Sequence, residues 1–381
     1  MVDCNVSMRY KSVFALAVLA AFFYCPYASG APWLGGGVHD DPYLIDDADD
    51  LQAVGADADY WNACFRLTGD IDLSGLSGTD FNIIGYYNSE EDKSAFTGVF
   101  DGAGHVISNF TYTSATAAYA GLFGYVGDGG TVKDLGLEAV VVDGGDNGSA
   151  ALAGYNSGTI SRCYAAGSVT AGGTVGGLVG FNRYGSISSC YSTVSVTGGA
   201  APEVGGLVGY NFNGTISGCY AAGVVTSQLP AGGLAGISGG VISDCHWDME
   251  VSGQSSMCVN AGEGCDAEGD TTAEMTQQAT FVNWDFVETW DIRENQTYPF
   301  LRVFTRPCLG DMNDDGWLSP VDLNALVNML LPHESNKYWV ESPADSVGDM
   351  NGDGWLSPGD LNALVSKLLA YESNAYWVEC P

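Results

Sequence analysis

Basic residues are scarce in this sequence: 12 lysines and arginines stand against 46 aspartates and glutamates over 381 residues, for a formal net charge of −34. Nucleic acid and anionic membrane surfaces both require clustered Lys and Arg, so the composition argues against either as a partner. Histidine is scarcer still, with 4 in the chain. A zincin needs two histidines four apart on one helix face with a glutamate between them. The nearest approach, His333-Glu334-Ser335-Asn336-Lys337, has lysine where the second histidine belongs. His39, His105 and His246 stand isolated and read as structural, so no zinc site or nucleophilic triad assembles. Long apolar runs are also lacking. The stretch Val13–Phe23 is shorter than the roughly 18 residues that mark a membrane span, and no later segment reaches that length.

Glycine is what the chain has in excess, with 53 residues and no strict every-third-residue period, so the backbone must turn often. A hydrophobic fraction of 46% supplies enough apolar material for a sizeable core and a second small domain. At the N-terminus, Arg9 and Lys11 precede the apolar run, and Ala28-Ser29-Gly30-Ala31 has the small-residue pattern of a signal peptidase site. Met8 opens that charged region directly. Residues 1–30 are therefore expected to be a signal peptide, and the protein to be secreted or displayed on a bacterial surface.

Self-similarity decides the fold class. Gly154–Tyr164, Gly180–Tyr191, Gly209–Tyr220 and Gly236–His246 align, and each places a cysteine before its last residue, at Cys163, Cys190, Cys219 and Cys245. The copies recur every 26 to 29 residues, and a fainter one runs from Gly121 to Leu135, with Leu135 at the cysteine position. Each reads as a short apolar strand, a Gly/Asn turn, a β-branched strand and a third run such as Gly223–Thr226, without helical periodicity between. One such coil cannot bury its own apolar face. Stacking supplies both core and backbone hydrogen bonds, and the end coils need caps. The expectation is a mainly β chain: a parallel solenoid of about five coils, capped by the flanking stretches. The four repeat cysteines are expected to form an inward ladder of small hydrophobes, not reactive thiols or a metal site.

The segments Gly176-Gly177-Leu178-Val179-Gly180-Phe181-Asn182 and Gly205-Gly206-Leu207-Val208-Gly209-Tyr210-Asn211 resemble the GLUG motif of bacterial surface and secreted proteins. Asp41–Ile45, Phe65–Leu73 and Phe96–Ile107 resemble the opening coils that precede such arrays, and Thr297–Leu301 resembles their exit. Over about residues 40–302, the resemblance implies a right-handed β-helix-like solenoid. It implies function less sharply, because such arrays accompany both adhesins and immunoglobulin-A-cleaving metallopeptidases.

The C-terminal region carries a different signal. Asp311-Met312-Asn313-Asp314-Asp315-Gly316-Trp317-Leu318-Ser319-Pro320-Val321-Asp322 recurs 38 residues later as Asp349-Met350-Asn351-Gly352-Asp353-Gly354-Trp355-Leu356-Ser357-Pro358-Gly359-Asp360. A calcium loop needs oxygen donors at positions 1, 3, 5 and 9, glycine at 6, a backbone carbonyl at 7 and a carboxylate at 12. In the first copy these fall on Asp311, Asn313, Asp315, Ser319, Gly316, Trp317 and Asp322, and in the second on Asp349, Asn351, Asp353, Ser357, Gly354, Trp355 and Asp360. Two Ca2+ ions are expected. Each loop feeds an apolar helix, Leu323–Leu331 and Leu361–Leu369, with no helix before it. This arrangement resembles the type I dockerin, an EF-hand-like module that plugs into cohesins, and the resemblance implies a cohesin-like or cell-surface partner. At loop positions 10 and 11, often hydroxyl-bearing in dockerins and tied to partner choice, this chain has Pro320-Val321 and Pro358-Gly359, which puts a classical cohesin in doubt.

Comparing the two copies, Cys308 aligns with Ser346 and Cys380 with Ser342, leaving one cysteine at each outer end of the tandem. A Cys308–Cys380 disulfide is expected in an exported protein, the alternative being two free thiols. Cys258 and Cys265 bracket a short Gly-rich loop and could pair, while Cys64 has no assigned partner. The domain order is then signal peptide 1–30, cap and first coils 31–118, GLUG repeats 119–250, cap or linker 251–306 and calcium module 307–381.

Two functions from different classes follow. The first is a non-catalytic solenoid that binds glycan or protein; the second is a glycoside hydrolase or polysaccharide lyase of the β-helix kind, carried by a dockerin. Between residues 150 and 245 the only acids are Glu203 and Asp244 and the only bases Arg162 and Arg183, so the central coils are almost bare of catalytic groups. Candidate carboxylates lie in the opening coils at Asp80, Asp101, Asp128 and Asp134, with Asp101 reading as a turn residue. The first reading is favoured.

Overall fold

Glycine-rich repeats with in-step aliphatic positions build a parallel β-solenoid, seen in a computed structural model that describes residues 31–305 apart from 90, 92, 146, 202, 261–264 and 266–268. Beyond residue 305 it describes only 317–318, 340–341, 355–356 and 378–379. The chain divides into a unit Met1–Pro32 and a unit Trp33–Pro381, and only the second is considered below. The expected signal peptide therefore lies outside the described residues, apart from its cleavage boundary, as do Cys308, Cys380 and the two apolar helices of the C-terminal copies.

Each coil contributes one motif strand: Phe123–Val126, Ala153–Asn156, Val179–Arg183, Val208–Phe212 and Ala235–Ser238. Together they form a five-stranded parallel sheet. The GLUG sequence has a local cause. The amides of Leu178 and Val179 both donate to the Leu207 carbonyl, those of Leu207 and Val208 both to Leu234, and those of Leu234 and Ala235 both to Met257. Two amides on one carbonyl is a β-bulge, and it lets consecutive apolar residues, Leu178 with Val179 and Leu207 with Val208, both reach full burial. The glycine that follows is required by close approach: a Cβ on Gly180 would meet the Gly148 backbone at 2.3 Å.

Past the turn, the second strand stacks Val132, Ile160, Ile187, Ile216 and Ile242 in register, one above the other. A left-handed residue then bends the chain at the same repeat position in all five coils: Asp134, Arg162, Ser189, Gly218 and Asp244, with φ of 54°, 49°, 50°, 58° and 50°. Glycine at position 218 meets that requirement without strain. The next residue is Leu135 or a ladder cysteine, and Leu135, Cys163, Cys190, Cys219 and Cys245 are all buried, as the inward assignment expects. Each ladder thiol donates to the carbonyl two residues before it, at 3.2 to 3.3 Å. Burial pushes the Cys163 and Cys219 thiols well up, which favours their protonated form. The third run stacks Val142, Val169, Val196 and Val225. Full burial of each aliphatic side chain contributes about 1.5–3 kcal/mol, repeated coil after coil.

Below these coils, Tyr43–Ile45, Cys64–Leu67 and Val99–Ser108 pair in parallel, stacking Phe65 on Phe100 and Phe100 on Val132. The repeat pattern does not announce the helix Ala48–Ala56 that interrupts them. Asp47 caps it by accepting the Asp50 amide, and its Leu51 and Val54 are buried. At the other end, the carbonyls of Ser256 and Met257 receive amides from Gly233, Leu234 and Ala235, so this segment covers the edge of the five-stranded sheet. A Cys258–Cys265 disulfide staples it, and Cys64 is free.

Candidate ligand-binding face

The carboxylates singled out for catalysis come first. Asp101 and Asp134, from adjacent coils, do converge, on Lys133: its Nζ lies 2.9 Å from Asp101 and 3.7 Å from Asp134. Arg162 adds a bidentate pair, donating from Nε and Nη2 to Asp134 at 2.6 and 2.7 Å, and the buried Asp134 carboxylate holds the guanidinium pKa up. Both carboxylates are thus taken up in ion pairs within the solenoid. Asp101 also accepts the Ala103 amide where the strand's register shifts, so it lies within the strand Val99–Ser108 and not in the turn expected from the sequence. Asp80 accepts from Ser77, and Asp128 lies exposed in a turn. Glu138 accepts from the Tyr164 hydroxyl at 2.7 Å, an interaction that, after burial, raises the phenol further. His105 faces Asp70, His246 faces Asp270 at 2.8 Å, and His39 faces Asp40 on the surface.

Of the twelve expected calcium ligands, the loop glycines aside, ten lie outside the described residues. Only the backbone of Trp317 and Trp355 is placed. Trp317–Leu318 pairs antiparallel with Val378–Glu379, and Trp355–Leu356 with Val340–Glu341, so loop positions 7 and 8 of each copy meet the tail of the other.

Two aromatic ladders run along the outside of the solenoid. The first is Tyr164, Tyr191 and Tyr220, stacked at 4.9 Å and 4° in both steps. The exit segment folds back over it. Phe281 packs on His246, Trp284 and Trp290 on Tyr220, and Phe304 on Tyr164, while the Tyr220 hydroxyl donates to the Pro299 carbonyl. Met275, Phe281, Trp290 and Leu301 are all buried in this strap. Tyr298 donates to Asp248 and is pushed up to about 12, first by burial and then by that bond.

The second ladder rises from the motif strands as Tyr125, Tyr155, Phe181 and Tyr210, in register. A short hairpin, Tyr86–Tyr87 with Lys93–Ser94, covers its start. There Tyr87 lies flat on Tyr155 at 4.7 Å and 8°, with Tyr119 edge-on, and Tyr155 is only 3% exposed. The cover ends at that point. Phe181 and Tyr210 are half-buried and meet edge to face at 5.0 Å, Phe212 lies 5.9 Å from Tyr210, and Tyr184 lies 5.7 Å from Phe212. The Arg183 guanidinium sits over the Tyr184 and Phe212 rings at 5.5 and 5.8 Å and donates to the Tyr155 hydroxyl. Tyr184 is 61% exposed.

Directly behind this face runs a buried amide ladder. Asn156 donates to Asn182 and Asn182 to Asn211, both at 2.8 Å, and Asn211 donates to the Ser238 hydroxyl at 3.1 Å. The same amides reach the Gly158, Gly185 and Gly214 carbonyls, which fixes each turn that carries the exposed rings. Neither ladder was inferred from the sequence, though both leave a trace there: an aromatic residue and then asparagine follow the last motif glycine at 155–156, 181–182 and 210–211.

Known proteins share the repeats and the architecture. Residues 171–197 and 200–226 match the family described as the GLUG motif. Halomucin of Haloquadratum walsbyi is 37% identical over 156 residues, 39% of this chain and 2% of its own length. A protein of Evansella cellulosilytica provisionally named a Gly-rich membrane protein is 30% identical over 153 residues, 38% of this chain and 17% of its own. The chain thus spans a small part of either relative. Among solved structures, a Bacteroides ovatus protein provisionally assigned as an immunoglobulin A1 protease superposes with a TM-score of 0.53 at 20% identity, covering 71% of this chain and 94% of that one, a likeness of fold alone. The chain carries GLUG motif repeats and builds from them a parallel β-solenoid.

Proposed function

We propose that this chain is a secreted or surface-displayed, non-catalytic binding solenoid, tethered through a C-terminal calcium module of the dockerin kind. The observation that carries the binding role is the open aromatic face beyond the hairpin, where rings project to solvent from a rigid, amide-braced scaffold. The names halomucin and Gly-rich membrane protein, borne by proteins that share these repeats, accord with a place at the cell surface. A stapled Cys258–Cys265 loop fits an oxidising compartment. Among the described residues, no helix is long and apolar enough to cross a membrane. Screening the full chain for glycan binding and hydrolysis in one panel tests the role: binding without cleavage is expected, and turnover of any polysaccharide would overturn it. Turnover abolished by Asp134→Asn would instead establish the polysaccharide-degrading alternative, with its chemistry in the opening coils.

For the tether, the all-oxygen donor set of each loop suits a hard divalent cation, and the two copies repeat it in full. The reciprocal pairing of residues 317–318 and 355–356 with each other's tails further supports one module made of two related halves. Its partner is a cohesin-like module or another surface component. Clustered carboxylates repel one another until a cation neutralises them, so chelation should lower the helical circular dichroism of the chain and calcium should restore it. Asp311→Ala and Asp349→Ala should each remove one binding event by calorimetry and leave the solenoid intact. A helical signal indifferent to calcium, with no heat of binding, would refute the tether.

A further inference from the structure

We propose that Phe181, Arg183, Tyr184, Tyr210 and Phe212 form a platform for a neutral polysaccharide chain. The proposal rests on the binding role above and adds its site and ligand class. Tyr184 is the first argument. It holds a left-handed backbone, φ 61°, at a turn position where the next coil has Asn213 at φ 53°. Asparagine tolerates that conformation, whereas a bulky ring there is strained. The ring's packing is limited to its contact with Phe212 and the Arg183 guanidinium, and most of it stands in water. A residue held at a cost and turned outward is accounted for by what it touches outside the chain.

The protein itself shows what this face accepts. One coil earlier, the hairpin's Tyr87 lies parallel to Tyr155, so a flat six-membered ring already stacks on this ladder. Beyond the hairpin, the ladder continues without such a cover among the described residues. The chemistry of the uncovered part then selects the ligand. Aromatic faces and edges alternate with the hydroxyls of Tyr184 and Tyr210 and the exposed amide of Asn213. A pyranose matches such a surface, offering C–H faces to rings and hydroxyls to polar groups. The one charged side chain of the platform, Arg183, lies over the Tyr184 and Phe212 rings and donates to Tyr155, and the chain as a whole carries −34, so the surface suits neutral sugars better than polyanions. Size argues in the same direction. The platform spans two coils at a strand spacing of about 4.8 Å, and a stable protein partner needs roughly 800 Å² and 20–30 residues a side. A few sugar units fit where a folded protein does not.

Isothermal calorimetry on the full chain tests this, with neutral β-1,4-linked glucose and mannose hexasaccharides and with polygalacturonate as the anionic probe. At least one neutral probe should bind, with affinity little changed between about 50 and 500 mM salt. Tyr184→Ala and Phe212→Ala should each weaken it about tenfold or more, at unchanged circular dichroism. Val287→Ala, on the strap at 83% exposure, should not. Neutral-glycan binding that survives both platform variants would sink the platform and leave the binding role standing. Failure of every neutral probe, binding of polygalacturonate alone, or capture of a protein ligand through Tyr184 would overturn the inference.

Discussion

The solenoid carries two aromatic ladders built by the same repeat, and they have opposite fates. Tyr164 and Tyr220 are buried, with Tyr191 between them partly covered, under the strap from Phe281 to Phe304, whereas the half-buried Phe181 and Tyr210 and the exposed Tyr184 lie beyond the hairpin at Tyr87. Periodic stacking therefore makes rows of rings as a by-product of parallel register. What turns a row into core or into binding surface is the non-repetitive chain laid over it.

If the sealed ladder is core, Trp290→Ala should be the most damaging single change. Its indole is 2% exposed and packs on Tyr191 and Tyr220, so about 3–5 kcal/mol should be lost in urea denaturation. Phe212→Ala on the open ladder should cost well under half of that. Equal losses would erase the distinction. The amide ladder comes next. Asn182→Leu leaves the Asn156 amide and the Asn211 carbonyl without their partners, and should cost about 1–3 kcal/mol while disturbing the turn that carries Tyr184.

Much of this was legible in the sequence. The cysteine and isoleucine positions at constant spacing fixed the coils, their register and the inward thiols. The doublets Leu178-Val179 and Leu207-Val208 break strict alternation, and the bulge that reconciles them with a strand is visible only through the shared carbonyl acceptor. Asp101 and Asp134 read as separate acids because their meeting at Lys133 depends on coil-to-coil register. Which ladder is open was not readable at all, since Phe281–Phe304 has no repeat pattern and its path back over the coils follows from its aromatics finding Tyr220 and Tyr164.

Smaller effects refine the contrast. Cys190→Ala should cost about 1–2 kcal/mol through lost packing, with Cys190→Asp worse, and native thiols in the ladder should resist alkylation; rapid labelling of all four would place them outside. Alkaline pH should act on the strap. Tyr298 ionises near 10 in the unfolded chain and about 12 when folded, so its contribution is whole below pH 10 and fades as pH rises towards 12. Being partly exposed, it should shift the alkaline limit of stability modestly, and Tyr298→Phe should flatten that slope.

Tyrosine-selective labelling of the native full chain, mapped by peptide mass spectrometry, tests the contrast most directly. Tyr184 should be modified rapidly, the partly buried Tyr191 slowly, and Tyr155, Tyr164 and Tyr220 only after denaturation. Modification of Tyr164, Tyr191 and Tyr220 at the rate of Tyr184 would contradict the sealed and open ladders alike.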